Sequence, residues 1–110
     1  MAAAAERAGE RTACWYVYIV RCADGTLYTG VATDVDRRLA EHRAGAPRGA
    51  RYLRGRAPLE LVFAHRVGSR AAAQRVEHSI KSLPRRRKEA LVSGASSIAA
   101  LAIEIGGDPP

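Results

Sequence analysis

The segment WYVYIVRCADGTLYTGVATDV, at residues 15–35, predicts two antiparallel strands joined by a tight turn. Residues 15–21 are aromatic or β-branched apart from the final arginine, which is a composition typical of strands. Asp24 and Gly25 follow, and an Asp-Gly pair suits the positive φ angle of a tight turn. Residues 26–31 predict the second strand. The segment therefore predicts a β-hairpin.

A helix is predicted directly after the hairpin. Thr33 and Asp34 are favourable N-cap residues, and Asp36 stands three residues after Thr33, as in a capping box. Four side chains share the inward side of this helix at helical spacing: Val35, Arg38, Leu39 and His42. Gly45 and Pro47 predict its end. The helix therefore directs an arginine and a histidine toward the core.

The rest of the chain predicts one further strand and two helices, with a weak third. Residues 48–58 are rich in Gly, Pro and Arg and predict an ordered but exposed connector. Residues 59–66 alternate in part between apolar and polar side chains and predict the third strand. Ser69 caps the next helix, and a shorter helix spans about residues 84–92. Residues 96–105 predict the weak terminal helix.

The order β-β-α-β-α-α predicts an α+β fold with a small, three-stranded, mainly antiparallel sheet flanked by helices. A chain of 110 residues suits one domain. We assign this domain to residues 14–94. Residues 1–13 hold no large apolar side chain after the initial Met and predict a flexible N-terminal arm, and residues 95–110 a C-terminal extension with a weak helix and tail.

Positive charge is concentrated in two segments. The chain carries 18 Lys and Arg against 11 Asp and Glu, a formal charge of +7. Residues 37–56 hold seven arginines and one glutamate, and residues 81–88 add five cations, so the remainder is slightly acidic. A bias toward Arg and Ala codons is the alternative source of such charge. Concentration on two segments instead favours a surface that contacts a polyanion.

Two cysteines, Cys14 and Cys22, form neither a disulfide framework nor a zinc motif. Neither a signal peptide nor an apolar run of membrane-spanning length is recognisable. These features predict a soluble cytoplasmic protein with reduced thiols.

Phosphodiester hydrolysis needs a group that activates water, positive charge for the phosphate oxygens and support for the leaving oxygen. The chain offers five groups for these tasks: Tyr18, Tyr28, Arg38, His42 and Glu77. Each has an ordinary explanation when taken singly. The tyrosines and the histidine suit a half-buried setting, and Arg38 with Asp34 or Glu77 with Lys81 suits a surface ion pair. The hydrolytic interpretation depends on the complete set.

The set, in this order, resembles the GIY-YIG nuclease superfamily. Residues 16–18 correspond to the first family triad, and residues 28–30 to the second. An arginine eight positions after the second triad matches Arg38, and the histidine that often follows it matches His42. The metal-binding glutamate of a later helix matches Glu77. The resemblance covers about residues 15–92 and is greatest to small stand-alone bacterial members.

Three positions depart from the family pattern. Tyr16 replaces the first glycine, Thr29 the middle isoleucine of the second triad, and Val31 a lysine found in some relatives. The chain also contains no asparagine, which several members place downstream of the glutamate.

The resemblance implies a role for each of these groups. Tyr18 or Tyr28 deprotonates the attacking water, with a phenol pKa lowered by the metal and by Arg38. Arg38 binds the scissile phosphate, and His42 assists proton transfer or orientation. Glu77 holds one Mg²⁺, or Mn²⁺. Which tyrosine acts as the base stays open.

The implied activity is structure-selective DNA cleavage, with a role in DNA repair or recombination; RNA is also a possible substrate. Gly30 is expected to let the backbone approach a phosphate. The other expected phosphate contacts lie in the two basic segments: Arg48, Arg51, Arg54, Arg56, Lys81, Arg85, Arg86, Arg87 and Lys88. We expect a monomer. The alternatives are a non-catalytic nucleic-acid-binding module and a subunit that needs a larger protein partner.

Overall fold

The computed structural model describes residues 14–44, 53 and 55–99 of the chain. The described strands and helices are β1 (Trp15–Arg21), β2 (Leu27–Ala32), α1 (Val35–Ala44), β3 (Glu60–Gly68), α2 (Arg70–Lys81) and α3 (Arg85–Ser93). This order confirms the predicted β-β-α-β-α-α arrangement and the α+β class. Over the described ranges, every helix is too short or too polar to cross a membrane.

The three strands form one antiparallel sheet in the order β2-β1-β3. The central strand, β1, pairs Tyr18 with Gly30 of β2 and with Ala64 of β3. Successive side chains of β1 point to opposite faces of the sheet. Tyr18 and its alternating neighbours therefore face one layer, and Val17 and Ile19 face the other.

Each face of the sheet carries its own hydrophobic cluster. The buried cluster on the α1 face contains Tyr18, Val20, Cys22, Ala32, Leu39, Leu53 and Leu59. The buried cluster on the face covered by α2 and α3 contains Val17, Ile19, Ile80 and Leu91. The sheet is thus enclosed between helices, and the predicted catalytic Tyr18 belongs to the α1 layer.

The hairpin turn, residues 22–26, is held by contacts from distant parts of the chain. Gly25 has a φ angle of +87°, which confirms the turn predicted from the Asp-Gly pair. Arg85 donates a hydrogen bond from Nη2 to the Gly25 carbonyl at 2.7 Å. Arg56 forms an ion pair with Asp24. The turn is therefore fixed by α3 and by the segment that precedes β3.

A second ion pair joins α3 to the end of β1. Arg21 donates two hydrogen bonds of 2.9 Å to the two carboxylate oxygens of Glu89. Arg85 also pairs with Glu89, at 3.0 Å. Hydrogen bonds from Arg21 and then from Arg85 lower the pKa of the Glu89 carboxyl from 4.5 to about 2. Glu89 is therefore ionised over the whole physiological pH range.

Some boundaries differ from the sequence-based expectation. The N-cap of α1 is Asp34, whose Oδ1 accepts from the Arg37 amide at 3.0 Å, rather than the capping box of Thr33 and Asp36. Strand β3 extends to Gly68 because the ladder with β1 reaches the pair Trp15 and Gly68. The predicted arm at 1–13, most of the connector and residues 100–105 of the predicted terminal helix lie outside the described residues.

Candidate active site

The centre of the site is a buried hydrogen bond between β1 and α1. The Tyr18 hydroxyl lies 3.0 Å from Nε2 of His42. Tyr18 is 2% exposed and His42 is 6% exposed, so both side chains are largely enclosed by the protein. A buried polar group is costly unless it is hydrogen-bonded, and each satisfies the other here. This pair therefore ties the strand to the helix and orients the phenol.

Gly30 provides the space for the Tyr18 ring. The two residues are directly opposite each other in the β1–β2 ladder. A Cβ atom added to Gly30 would lie 2.5 Å from the Tyr18 hydroxyl oxygen and 2.7 Å from its Cζ. The sequence-based reason for this glycine was close approach of a phosphate. In the structure, the space above Gly30 is occupied by the phenol itself.

Tyr28 lies on the other side of the same histidine. It is opposite Val20 in the hairpin, on the face of the sheet that carries Tyr18. Its ring meets the His42 ring edge to face, with 5.9 Å between the centroids and an interplanar angle of 78°. Tyr28 is half-buried, whereas Tyr18 is fully buried. The structure thus brings both predicted tyrosines and the histidine into one cluster.

Arg38 of this cluster pairs with Glu41, a carboxylate that was not predicted from the sequence. Its Nη1 donates to Oε1 of Glu41 at 2.9 Å, and Arg37 lies 3.7 Å from the other oxygen of Glu41. The expected alternative partner, Asp34, instead caps the helix. Arg38 also acts on the Tyr18 hydroxyl by charge and hydrogen bonding. The spacing of three residues between Arg38 and Glu41 was the signal available in the sequence.

The pKa of Tyr18 shifts in the direction opposite to the one expected. Burial, followed by the neighbouring Tyr28, raises the pKa of Tyr18 from 10.0 to about 12. The guanidinium of Arg38 acts in the lowering direction, but the effect of burial is larger. The expected lowering is therefore wrong for the protein without a bound metal, because the phenol is enclosed by the α1 layer.

His42 is neutral in this environment. Burial first, and then the charge of Arg38, lowers its pKa below the usual 6.5. A neutral imidazole carries one N–H and one acceptor nitrogen. With the proton on Nδ1, its Nε2 accepts a hydrogen bond from Tyr18.

Glu77 lies on α2, in the helix layer that covers the face of the sheet opposite to Tyr18. Its side chain is 21% exposed and lies 3.4 Å from Lys81, which is the ion pair considered from the sequence. The charge of Glu77 is nevertheless among the causes that raise the pKa of Tyr18. Because β2 is an edge strand, a carboxylate on α2 can act past this edge on groups of the other layer. The Glu77 carboxylate therefore lies within electrostatic range of the Tyr18 hydroxyl.

Glu77 suits a metal that is shared with a substrate. In the part of the chain that the structure describes, no three His, Cys, Asp or Glu side chains are grouped as a metal site. Magnesium commonly uses one or two carboxylates and completes its shell with phosphate oxygens and water. A single half-buried carboxylate fits this mode of binding, and it does not fit a closed protein cage.

The predicted phosphate contacts are distributed unevenly. Arg48, Arg51 and Arg54 lie outside the described residues. Arg56 and Arg85 are engaged at the hairpin turn, and Lys81 is paired with Glu77. The rest of the α3 run consists of an exposed Arg86 and half-buried Arg87 and Lys88. Arg38 acts directly on Tyr18 and His42, and Arg37 pairs with the same Glu41; of these two arginines, only Arg38 was predicted from the sequence.

A three-stranded α+β sheet that carries tyrosines on β1 and β2, an arginine and a histidine on α1 and a glutamate on α2 defines the GIY-YIG class of domain. The model of the GIY-YIG catalytic domain matches residues 14–90, and the chain belongs to the GIY-YIG family.

Its relatives include several UPF0213 proteins. The chain is 58% identical over 78 residues to one from Natronomonas pharaonis, covering 71% of this chain and 89% of the relative. It is 44% identical over 97 residues to one from Klebsiella pneumoniae, covering 88% and 90%. The solution NMR structure of the UPF0213 protein BH0048 from Bacillus halodurans matches with 42% identity and a TM-score of 0.49, covering 86% of this chain and 99% of that chain.

Proposed function

We propose that this protein is a metal-dependent endonuclease that hydrolyses phosphodiesters in DNA, selecting the structure of the substrate rather than its sequence. The observation that carries the proposal is the buried Tyr18–His42 hydrogen bond beside Arg38. A phenol that is hydrogen-bonded to a neutral imidazole and acted on by a guanidinium is an ordered arrangement, and the hydrogen bond offsets the cost of burying both rings. It suits proton transfer next to a bound phosphate.

The proton of the attacking water passes through Tyr18. With a pKa of about 12, Tyr18 is almost entirely protonated at neutral pH and does not act as a preformed phenolate. Neutral His42 can accept the phenol proton at Nε2 while the Tyr18 oxygen takes a proton from water. The water then attacks phosphorus, and the proton resides on His42. Tyr28, which is more exposed, is the second candidate to contact the water directly.

Arg38 binds the scissile phosphate. Its guanidinium has a fork of donors that fits two phosphate oxygens. Glu41 holds the guanidinium in place before substrate arrives, which reduces the entropy lost when the phosphate binds. Arg38 then stabilises the negative charge that develops on the phosphate oxygens.

Glu77 is the protein ligand for one Mg²⁺ or Mn²⁺. When bound there, a divalent ion supplies positive charge that offsets charge on the leaving oxygen. Lys81 pairs with the same carboxylate in the structure described here and has to release it when the ion binds. The pair is partly exposed to solvent, which weakens it and makes its release easier.

The basic surface supports binding to a nucleic acid. A net charge of +7 favours association with any polyanion, so discrimination must come from the shape of the substrate. A place in DNA repair or recombination, where branched and frayed DNA arises, is consistent with such selectivity. A monomer, acting alone or with a larger partner, is the form we propose.

A cleavage assay with two glutamate variants tests the proposal. The full chain is incubated with single-stranded, duplex and branched DNA, with and without Mg²⁺. Glu77→Gln removes the charged metal ligand, and the control Glu60→Gln changes an exposed glutamate of β3. We expect Mg²⁺-dependent cutting that is lost only in Glu77→Gln. Salt-sensitive binding without any cutting would instead identify a non-catalytic nucleic-acid-binding module.

A further inference from the structure

A cleft of about 370 Å³ lies next to Arg38 and outside the cluster of tyrosines and histidine. Its lining includes Arg37, Arg38 and Glu41 of α1 together with Trp15 and Arg70. Small-molecule sites usually have volumes of about 300–1,000 Å³, so this cleft is large enough for one nucleotide. Of its lining residues, only Arg38 and Glu41 have a role in the proposed hydrolysis.

Trp15 and Arg70 form a cation–π pair in the lining of this cleft. The Arg70 guanidinium carbon lies 5.3 Å from the centre of the Trp15 ring. Trp15 is half-buried and Arg70 is exposed, so the edge of this pair faces solvent. Indole and guanidinium are the flat groups on which proteins stack unpaired bases. The pair is therefore suited to hold a nucleobase.

The cleft continues into the proposed active site. Arg38 borders the cleft and also acts on the Tyr18 hydroxyl. On α2, Arg70 and Glu77 are seven residues apart and thus share one side of the helix. A DNA strand bound along this side of α2 has its scissile phosphate between Arg38 and Glu77 and a neighbouring base near Trp15.

We propose that the cleft binds the base of an unpaired nucleotide adjacent to the scissile phosphate, by stacking on Trp15 and Arg70. This inference rests on the proposed nuclease function and specifies its substrate. A base within a duplex is already stacked and paired, and it cannot enter the cleft without being extruded from the helix. Single strands and the unpaired arms of branched DNA present such bases directly. The cleft therefore explains selection of structure without reading of sequence.

Intrinsic fluorescence tests this inference without relying on cleavage. Trp15 is the sole tryptophan of the chain, so its emission reports on the cleft alone. The full chain is titrated with a short oligothymidylate, a branched DNA and a blunt duplex, without divalent metal so that the DNA stays intact. We expect saturable quenching by the first two, with the affinity measured by anisotropy of labelled DNA. Binding seen by anisotropy without a change in emission would refute the inference.

Two pairs of variants extend the test. Trp15→Phe keeps a ring for stacking, whereas Trp15→Leu keeps only apolar volume. We expect affinity for the single strand to fall about tenfold in Trp15→Leu and little in Trp15→Phe. Arg70→Gln, at an exposed position, weakens the same binding, whereas Arg75→Gln on the same helix does not. Thermal unfolding checks that each variant is folded.

The two proposals fail in different ways. If Trp15→Leu binds and cuts single strands like the wild type, the stacking inference is refuted and the nuclease proposal stands. If the wild type shows saturable quenching but cuts no substrate, the cleft is supported and the nuclease proposal is wrong. If no DNA binds by either measurement at low salt, both are wrong.

Discussion

Replacing Gly30 with alanine tests the packing on which the site depends. The backbone of Gly30 does not have a positive φ angle, so alanine is compatible with its conformation. The new Cβ would nevertheless meet the Tyr18 hydroxyl at 2.5 Å and its Cζ at 2.7 Å. Contacts this short force the ring to move. Because the ring is 2% exposed, it has no free space to enter.

The expected loss of stability is the difference between two effects. Glycine to alanine at a compatible position stabilises by about 0.4–1 kcal/mol, through the unfolded state. Overpacking of a close-packed core costs about 1–3 kcal/mol. The free energy of unfolding should therefore fall by roughly 1–2 kcal/mol. For a domain of about 60–100 residues, each kcal/mol lowers the Tm by about 4–8 °C.

The assay combines urea unfolding with DNA cleavage per folded molecule. We expect cleavage to be lost in Gly30→Ala because the displaced phenol no longer reaches His42, at 3.0 Å in the structure. Gly55→Ala is the matched control: Gly55 has a φ of +73° and no atom within 4 Å of an added Cβ. It should lose about 1 kcal/mol through backbone strain alone and retain cleavage. In a Tyr18→Phe background, Gly30→Ala should lower the free energy of unfolding by less, because the hydroxyl oxygen nearest to the new Cβ is absent.

Wild-type stability together with wild-type cleavage in Gly30→Ala would refute this reasoning. Loss of stability with full cleavage would show that the position of the Tyr18 hydroxyl does not matter to the reaction.

Three further predictions concern the charged and titratable groups. As pH falls below 6.5, His42 takes up a proton in the unfolded chain but stays neutral in the folded protein, where its pKa is lowered. The free energy of unfolding should therefore decrease as pH falls. The decrease should be less steep in His42→Gln. Unfolding titrations above pH 4.5 isolate this effect from Glu89, whose contribution is lost only between pH 4.5 and about 2. Glu41→Gln should change stability by less than about 1 kcal/mol, since the pair with Arg38 is partly exposed, yet raise KM for DNA. Glu89→Gln should lower the Tm by breaking the pair with Arg21, and the difference should shrink at high salt.

Local signals in the sequence predicted most of the fold. The Asp24–Gly25 turn and the Ser69 cap depend on neighbouring residues, and both are present in the structure. The end of β3 was placed too early, because its last pair joins Gly68 to Trp15 across the sheet. Pairing between distant segments sets such boundaries, and no local pattern records it.

The residues of the candidate site could be predicted from the sequence, but their burial and their contacts with distant segments could not. The spacing along β1, β2 and α1 placed Tyr18, Arg38 and His42 together, and the structure brings them together. The raised pKa of Tyr18 without a bound metal was not predictable from the sequence, because burial of the phenol depends on the whole α1 layer. The pair of Trp15 and Arg70 was missed because it joins the start of β1 to the start of α2.

The contacts around residues 22–26 bear on how the molecule can be altered. Exposed tips between strands are ordinarily favourable places to graft a tag or an added domain. Here, a graft would separate Asp24 from Arg56 and Gly25 from Arg85, partners supplied by two remote segments. Loss of these two contacts would also disturb β2, the strand that begins at Leu27 and carries Tyr28. Reporters are therefore better attached elsewhere, despite the accessibility of this tip.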